Sequence, residues 1–147
     1  MKRLLMVVVT MAIVISIVPA LAQESILPPN VDKALVEKNL LIGLSTENLG
    51  LQRSCALMLG QIQADNAVIP LMAALKSNDN EGVRIAAAWA LCQLGDARGE
   101  YAVKMATKFD NSYKVQAACA WYYETYVQPG TFTFTQPKGP ELVATVE

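Results

Sequence analysis

Apolar residues recur along this chain at two distances. Within short segments they follow the three- and four-residue spacing of a helix with an apolar face, and between segments they recur at one longer, constant interval. At that interval the segment 83–94, VRIAAAWALCQL, aligns with 51–62 and with 115–126. A repeat of about 20 to 50 residues is typical of stacked supersecondary units, none of which buries its apolar face alone. The pattern therefore predicts a short all-α solenoid.

The repeat divides into helices joined by loops of three to six residues. Connections this short place consecutive helices side by side, as antiparallel helix pairs. We expect Asn30 or Asp32 to cap the first helix, and Asp65 or Asn66 to cap the third. The six predicted helices, which together form a repeat domain over 31–127, span 31–44, 51–62, 67–76, 83–94, 98–109 and 113–127.

The chain after the last helix has a different pattern. Gln128, Pro129 and Gly130 oppose further helix, and 128–147 is predicted to be an irregular C-terminal tail. Within it, TFTFT at 131–135 alternates with period two but has no partner strand. The tail is either a disordered end, or a segment whose Phe132 and Phe134 fold back over the last repeat.

The segment 1–22 has the pattern of a secretory signal peptide. Lys2 and Arg3 precede a fifteen-residue apolar run, 4–18, and the small residues Ala20 and Ala22 follow it. The alternative is an uncleaved membrane anchor, although the run is shorter than the about 20 residues that span a bilayer. We expect cleavage after Ala22, an extended lead-in over 23–30, and an exported protein that is periplasmic or secreted.

Composition limits the classes of partner and of chemistry. Without Lys2 and Arg3, ten basic residues remain against thirteen acidic ones, and no basic run is present, so nucleic acid is not an expected partner. Two of the three cysteines, Cys55 and Cys119, occupy the same repeat position two units apart, too far for a disulfide. All three cysteines are expected to be buried thiols, with Cys92 the most exposed.

The sequence contains no histidine, which removes the commonest general base and the commonest ligand of transition metals. The acidic pairs Asp79/Glu81 and Asp96/Glu100 lie at turns, where helix capping is their expected role. No catalytic, cofactor or metal site is predicted, and the protein is not expected to be an enzyme.

The strongest functional candidate is a surface on the second helix of each pair. Trp89 and Trp121 occupy equivalent repeat positions, and tryptophan and arginine are enriched at binding hot spots. The alternative is that both indoles fill grooves between neighbouring helices. The residues expected to contact a protein or peptide partner are Arg53, Arg84, Ile85, Trp89, Gln93 and Trp121, with Arg84 and the two tryptophans as the main anchors.

Several pieces of the chain resemble the HEAT repeat, and within it the short type named after phycobilisome lyases. They are Asn78-Asp79, Val83-Arg84, the stretch 90–96 (ALCQLGD) and the proline-containing stretch 66–71 (NAVIPL). The middle copy matches best, whereas the first has Gln52-Arg53 at the Val-Arg position and 100–107 lacks the proline. The resemblance implies a right-handed α-solenoid whose Val-Arg helices line the concave face.

Repeats of this family serve mostly as scaffolds for protein recognition, so the resemblance implies a non-catalytic adaptor that binds its partner on the concave face. The signal-peptide pattern of residues 1–22 adds that this adaptor is exported. Two alternatives stay open. One is a self-associating structural module, because so short a stack leaves two apolar ends. The other is a protein that handles a small molecule or pigment, as the lyases do.

Overall fold

The computed structural model describes residues 27–132, and the predicted signal peptide, residues 23–26 of the lead-in and residues 133–147 lie outside it. Within this range the chain is helical, with no strand, and the six expected helices are present. A 3₁₀ turn, Asp65–Ala67, precedes the third helix and a π-helical turn, Tyr123–Val127, follows the sixth. The helices are α1 Lys33–Leu44, α2 Leu49–Gln61, α3 Val68–Ser77, α4 Glu81–Leu94, α5 Ala97–Phe109 and α6 Tyr113–Tyr122.

Two of the helices begin two residues earlier than the apolar pattern predicts. The side chain of Asn48 accepts a hydrogen bond from the Leu51 amide at 3.0 Å, and that of Asn80 accepts one from the Val83 amide at 3.2 Å. Asparagine at this position satisfies one of the free amides of the first turn. The two caps occupy equivalent positions in successive repeats, so the repeat extends to the helix starts.

The 3₁₀ turn that leads into the third helix is bonded to a side chain of the first helix. Neither Asp65 nor Asn66 supplies the expected side-chain cap. Instead the buried carboxylate of Glu37, on α1, accepts a hydrogen bond from the Asn66 amide at 3.1 Å. A negative charge at a helix N-terminus is favoured by the helix dipole, so Glu37 joins the first helix pair to the second.

Each pair packs internally, α1 on α2, α3 on α4 and α5 on α6, and the second helices also pack on one another in the order α2, α4, α6. The helices of this row approach closely at Gly60, where an added Cβ would lie 2.7 Å from the backbone Cα of Ala90. The alanine-rich run of α4, 86–90, is buried apart from Trp89, which is partly exposed. Small residues therefore allow the second helices to approach closely, as the sequence predicts.

A ladder of hydrogen bonds crosses the loops before the second helices. In each helix the residue at one repeat position donates to the backbone carbonyl six residues earlier: Gln52 to Thr46, Arg84 to Asn78 at 2.8 Å, and Gln116 to Asp110 at 2.6 Å. Two further contacts join successive repeats: one bond from Asn78 Nδ2 to Gln52 Oε1 at 2.8 Å, and two bonds from Arg84 to Asp110. The ladder fixes the relative position of the three helix pairs.

The last described residues form a turn, 128–132, against the end of the stack. The Glu124 carboxylate accepts hydrogen bonds from the amides of Gly130, Thr131 and Phe132, the last at 3.0 Å. The Phe132 ring packs edge-on against the buried Tyr123 ring at 5.8 Å. Phe132 thus folds back on the last repeat, whereas Phe134 lies outside the described residues.

The turn is expected to open in acid. Hydrogen bonds from the backbone amides of Gly130 and Phe132 lower the pKa of Glu124, because they favour its charged form. A folded-state pKa below the unfolded value means that the contact is present at neutral pH and is lost as the pH falls through the lowered value. Amide chemical shifts of residues 130–132 should therefore titrate together, with a midpoint below that of an ordinary glutamate.

Glu124→Gln is the matched variant for this titration, since it keeps the size of the side chain and removes the ionisation. The three amides should then show no common titration in the acidic range. A wild-type midpoint above the ordinary glutamate value, or an unchanged titration in Glu124→Gln, would contradict the assignment.

Candidate partner-binding surface

Arg84 does not belong to an exposed surface. Its side chain turns into the loops instead of facing outward, and the residue is only 5% exposed. The guanidinium forms a two-point ion pair with Asp110, both bonds at 3.0 Å, and also donates to Asn111 Oδ1 at 2.9 Å and to the carbonyls of Asn78 and Asp79. The guanidinium N–H groups are therefore used in contacts within the protein. Arg84 has a structural role instead of the expected role of a partner anchor.

The other three non-aromatic candidates are more accessible. Arg53 is exposed on α2, with its Cδ 3.9 Å from the point where a Cβ on Gly82 of α4 would lie. Ile85 and Gln93 are partly exposed on α4, and the Gln93 carbonyl accepts a hydrogen bond from Gln63 at 2.9 Å. Arg53 therefore offers an exposed cation over the first turn of α4.

The two tryptophans have different environments despite their equivalent positions. Trp89 is partly exposed and packs against the core, and its Cζ3 would lie 3.1 Å from a Cβ on Gly60. This contact matches the groove-filling alternative, since the indole occupies the space beside a glycine of the preceding repeat. Trp121 has no such cover and is 51% exposed.

Trp121 is part of an aromatic cluster with Tyr122 and Tyr126. Its ring lies edge-on to Tyr122 at 5.4 Å and to Tyr126 at 6.3 Å, and the two tyrosine rings are 6.5 Å apart. The π-helical turn creates this arrangement, because a wider turn brings residues five apart onto one side. A helical wheel that continues as an α-helix to Val127 does not place Tyr126 on the same side as Trp121. No local signal in the sequence predicts the π-helical turn.

A charged side chain on α2, which α4 separates from α6 in the row of second helices, also acts on the aromatic cluster. Burial raises the pKa of the Tyr122 hydroxyl, Cys119 and Tyr126 add to the rise, and the positive charge of Arg53 opposes it. Arg53 is therefore within electrostatic reach of the aromatic cluster. Together they provide exposed aromatic rings and an exposed cationic group on the second-helix side of the stack, a combination suited to an apolar anchor with an acidic neighbour.

Among the grooves along the first helices in residues 27–132, two are large. One of about 760 Å³ lies along α1 and is lined by Leu41, Ile42 and the Glu37 carboxylate, which already accepts a hydrogen bond from the Asn66 amide. The other, of about 600 Å³, lies between α3 and α5 and has mostly apolar walls, among them Ile69, Met72 and Met105. The sequence reasoning places all candidate residues on the second helices and misses both grooves.

The cysteines are buried and free, as expected, and Cys92 is the most exposed of the three. Burial, with a smaller contribution from Glu100, raises the pKa of Cys92 to about 12, and burial raises that of Cys119 to about 12 as well. Such thiols are poor nucleophiles at neutral pH because the thiolate is the reactive form. Across residues 27–132 no group of acidic, cysteine or histidine side chains is arranged to hold a metal ion.

Stacked helix pairs with an interhelical ladder define a helical repeat protein of the α-solenoid class. The HEAT repeats family matches residues 37–124, more than half of the chain, and the protein belongs to that family. A search of curated proteins finds no match to this chain. Within the described range no helix has the length and apolar character needed to cross a membrane.

Proposed function

We propose that this protein is an exported, non-catalytic HEAT-repeat adaptor that binds a protein or peptide on the concave face of a right-handed, antiparallel stack, formed by α2, α4 and α6. The observation that carries the proposal is the half-exposed Trp121 and its aromatic cluster. An exposed group of large aromatic rings is unusual on a surface without a partner, and HEAT repeats commonly mediate protein–protein interaction. Export is proposed from residues 1–22.

The chemistry of the surface suggests what the partner presents. The aromatic cluster suits an apolar or proline side chain, which stacks on the rings and removes them from water. Arg53 suits a carboxylate close to that side chain. Arg84 takes no part in this contact, and Trp89 is only partly exposed.

The proposal is tested by crosslinking in cells that express the complete chain, followed by purification and quantitative mass spectrometry of the captured proteins. Trp121→Ala should reduce recovery of the true partner by at least about tenfold, as expected for a hot-spot residue. Tyr101→Ala is the matched control, since it removes another exposed aromatic ring, on α5. A partner lost equally with both variants, or retained with both, would exclude this surface.

The alternative of a small-molecule or pigment-handling protein rests on the resemblance to phycobilisome lyases and on the apolar groove between α3 and α5. It requires a ligand that stays with the purified protein. Native mass spectrometry separates the two functions, because an adaptor shows only the mass of its polypeptide.

A further inference from the structure

The aromatic cluster and Arg53 leave two contacts open within residues 27–132. Trp121 and Tyr126 are 51% and 46% exposed, and Tyr122 is partly exposed. Arg53 is exposed, and no carboxylate of residues 27–132 forms a salt bridge with it. An occupant of this surface therefore needs an apolar group for the rings and a carboxylate beside it.

The sequence beyond the described residues contains one segment with this combination. Pro137 and Pro140 are the only two prolines of the chain that lie three residues apart, and Glu141 follows them directly. In a polyproline II helix, which repeats every three residues, two such prolines lie on the same side. Proline-rich segments of this kind bind grooves that are lined by aromatic rings. The segment 137–141 thus combines two proline rings with an adjacent carboxylate.

The described chain ends close enough to the aromatic cluster for this segment to reach it. The last described residue, Phe132, packs on Tyr123, which is next to Tyr122 in the chain. Pro140 lies eight residues beyond Phe132, and an extended chain of that length covers up to about 26 Å. A helix with its side chains is about 10–12 Å wide, so the segment 137–141 can pass around α6 to the exposed rings.

The groove between α3 and α5 suits this segment less well. Its lining includes one aromatic residue, Phe109, among mostly aliphatic side chains, although Lys76 offers a cation. The aromatic cluster instead has three rings with centroids 5.4, 6.3 and 6.5 Å apart, close to the guanidinium of Arg53. Stacking on several rings favours the cluster as the site for a proline.

We propose that the segment 137–141 binds the aromatic cluster of its own chain, with Pro140 on the rings and Glu141 beside Arg53. A short tether gives the segment an effective concentration in the millimolar range, so even a weak contact is formed in a large fraction of the molecules. The bound segment covers the surface that the partner needs, and the partner's apparent affinity falls in proportion to the open fraction. This regulatory role rests on the proposed function, whereas the contact itself does not.

The contact is tested by acrylamide quenching of Trp121 fluorescence in the complete chain, with Trp89→Phe in every sample so that one tryptophan remains. The double variant Pro140→Ala, Glu141→Gln should raise the Stern–Volmer constant at least about twofold, as expected when the unaltered segment is bound in half or more of the molecules. Glu147→Gln is the matched control, since it neutralises the other acidic residue of 133–147, and should leave the constant unchanged.

The remaining outcomes of this measurement overturn the contact. Equal quenching in all variants shows that the segment 137–141 does not cover Trp121, which is also the result expected if it occupies the groove between α3 and α5. Protection of Trp121 that disappears on dilution assigns the segment to a second copy of the chain. An increase with Glu147→Gln as large as with the double variant shows that the contact is not made by Pro140 and Glu141. Circular dichroism confirms that each variant is folded.

The regulatory role is tested by the crosslinking experiment, in which the double variant Pro140→Ala, Glu141→Gln should recover more partner than the wild type. Equal recovery overturns this role. The two proposals fail separately. A partner lost with Trp121→Ala, together with a fully quenched Trp121, keeps the proposed function and removes the tail contact. A protected Trp121 whose replacement by alanine leaves partner recovery unchanged keeps the tail contact and removes the proposed function.

Discussion

Replacing Arg84 with leucine is expected to lower the free energy of unfolding by about 3–5 kcal/mol. The substitution leaves the Asp110 carboxylate buried opposite an apolar side chain, although the Ser112 amide of its own loop still contacts it. It also removes the bonds from Arg84 to the carbonyls of Asn78 and Asp79. The largest cost comes from the unpaired carboxylate, since removing one partner of a buried pair costs more than the pair contributes.

The chain supplies its own control for this prediction. The equivalent contact between the first two repeats is neutral, with Asn78 donating to Gln52. The double variant Arg84→Gln, Asp110→Asn copies this neutral contact one repeat later and should stay within about 1.5 kcal/mol of the wild type. Urea unfolding of the single and double variants measures the difference. A loss below about 1 kcal/mol for Arg84→Leu would refute a structural role for the guanidinium.

Arg84 also shows where sequence reasoning about the surface stops. The helical wheel correctly places this residue on a different side from the core residue Val83, and a side chain there is normally exposed. The wheel does not include the loop 78–80, whose carbonyls turn toward the guanidinium, or Asp110, which lies beyond the next helix. Burial of a long polar side chain depends on such loop contacts, which have no periodic signal.

The repeat itself was predictable because it depends on a local rule applied three times. Apolar spacing located all six helices, and the equivalence of positions one repeat apart extends to the caps Asn48 and Asn80. The ends of the stack follow no such rule, since among residues 27–132 neither end repeat has another repeat on both of its sides. Glu124 and the π-helical turn that carries Tyr126 are therefore features of one repeat only, and the period gives no information about them.

This difference separates the two kinds of surface in the molecule. Between the first two repeats, the facing positions Gly60 and Ala90 are small and buried, because the two helices approach closely there. At the ends of the stack, Met58 is larger and more exposed than its equivalent Ala90, and Glu124 replaces Gly60. Binding surfaces in a repeat protein of this size are therefore best sought where the repeat is broken.

Replacing Leu91 with alanine is expected to lower the free energy of unfolding by about 2–5 kcal/mol. Leu91 is completely buried near the end of α4, at the position of Leu59 and Tyr123 in the other repeats. Its Cδ2 lies 2.9 Å from the point where a Cβ on Gly99 would be, so the leucine fills the space that this glycine leaves between α4 and α5. Removing three carbons leaves a cavity that the two packed helices close only in part.

Gly99→Ala distinguishes this local packing from a general loss of apolar area. In the wild type the added methyl group collides with Leu91, which should destabilise the fold by about 1–3 kcal/mol. Alanine is a better helix former than glycine, and this offsets up to about 1 kcal/mol of that loss. In Leu91→Ala the same methyl group enters the cavity and should restore stability. The double variant is thus expected to be more stable than Leu91→Ala alone, with a coupling energy of at least about 1 kcal/mol in urea unfolding. Additive losses would mean that α5 does not pack on Leu91 through Gly99.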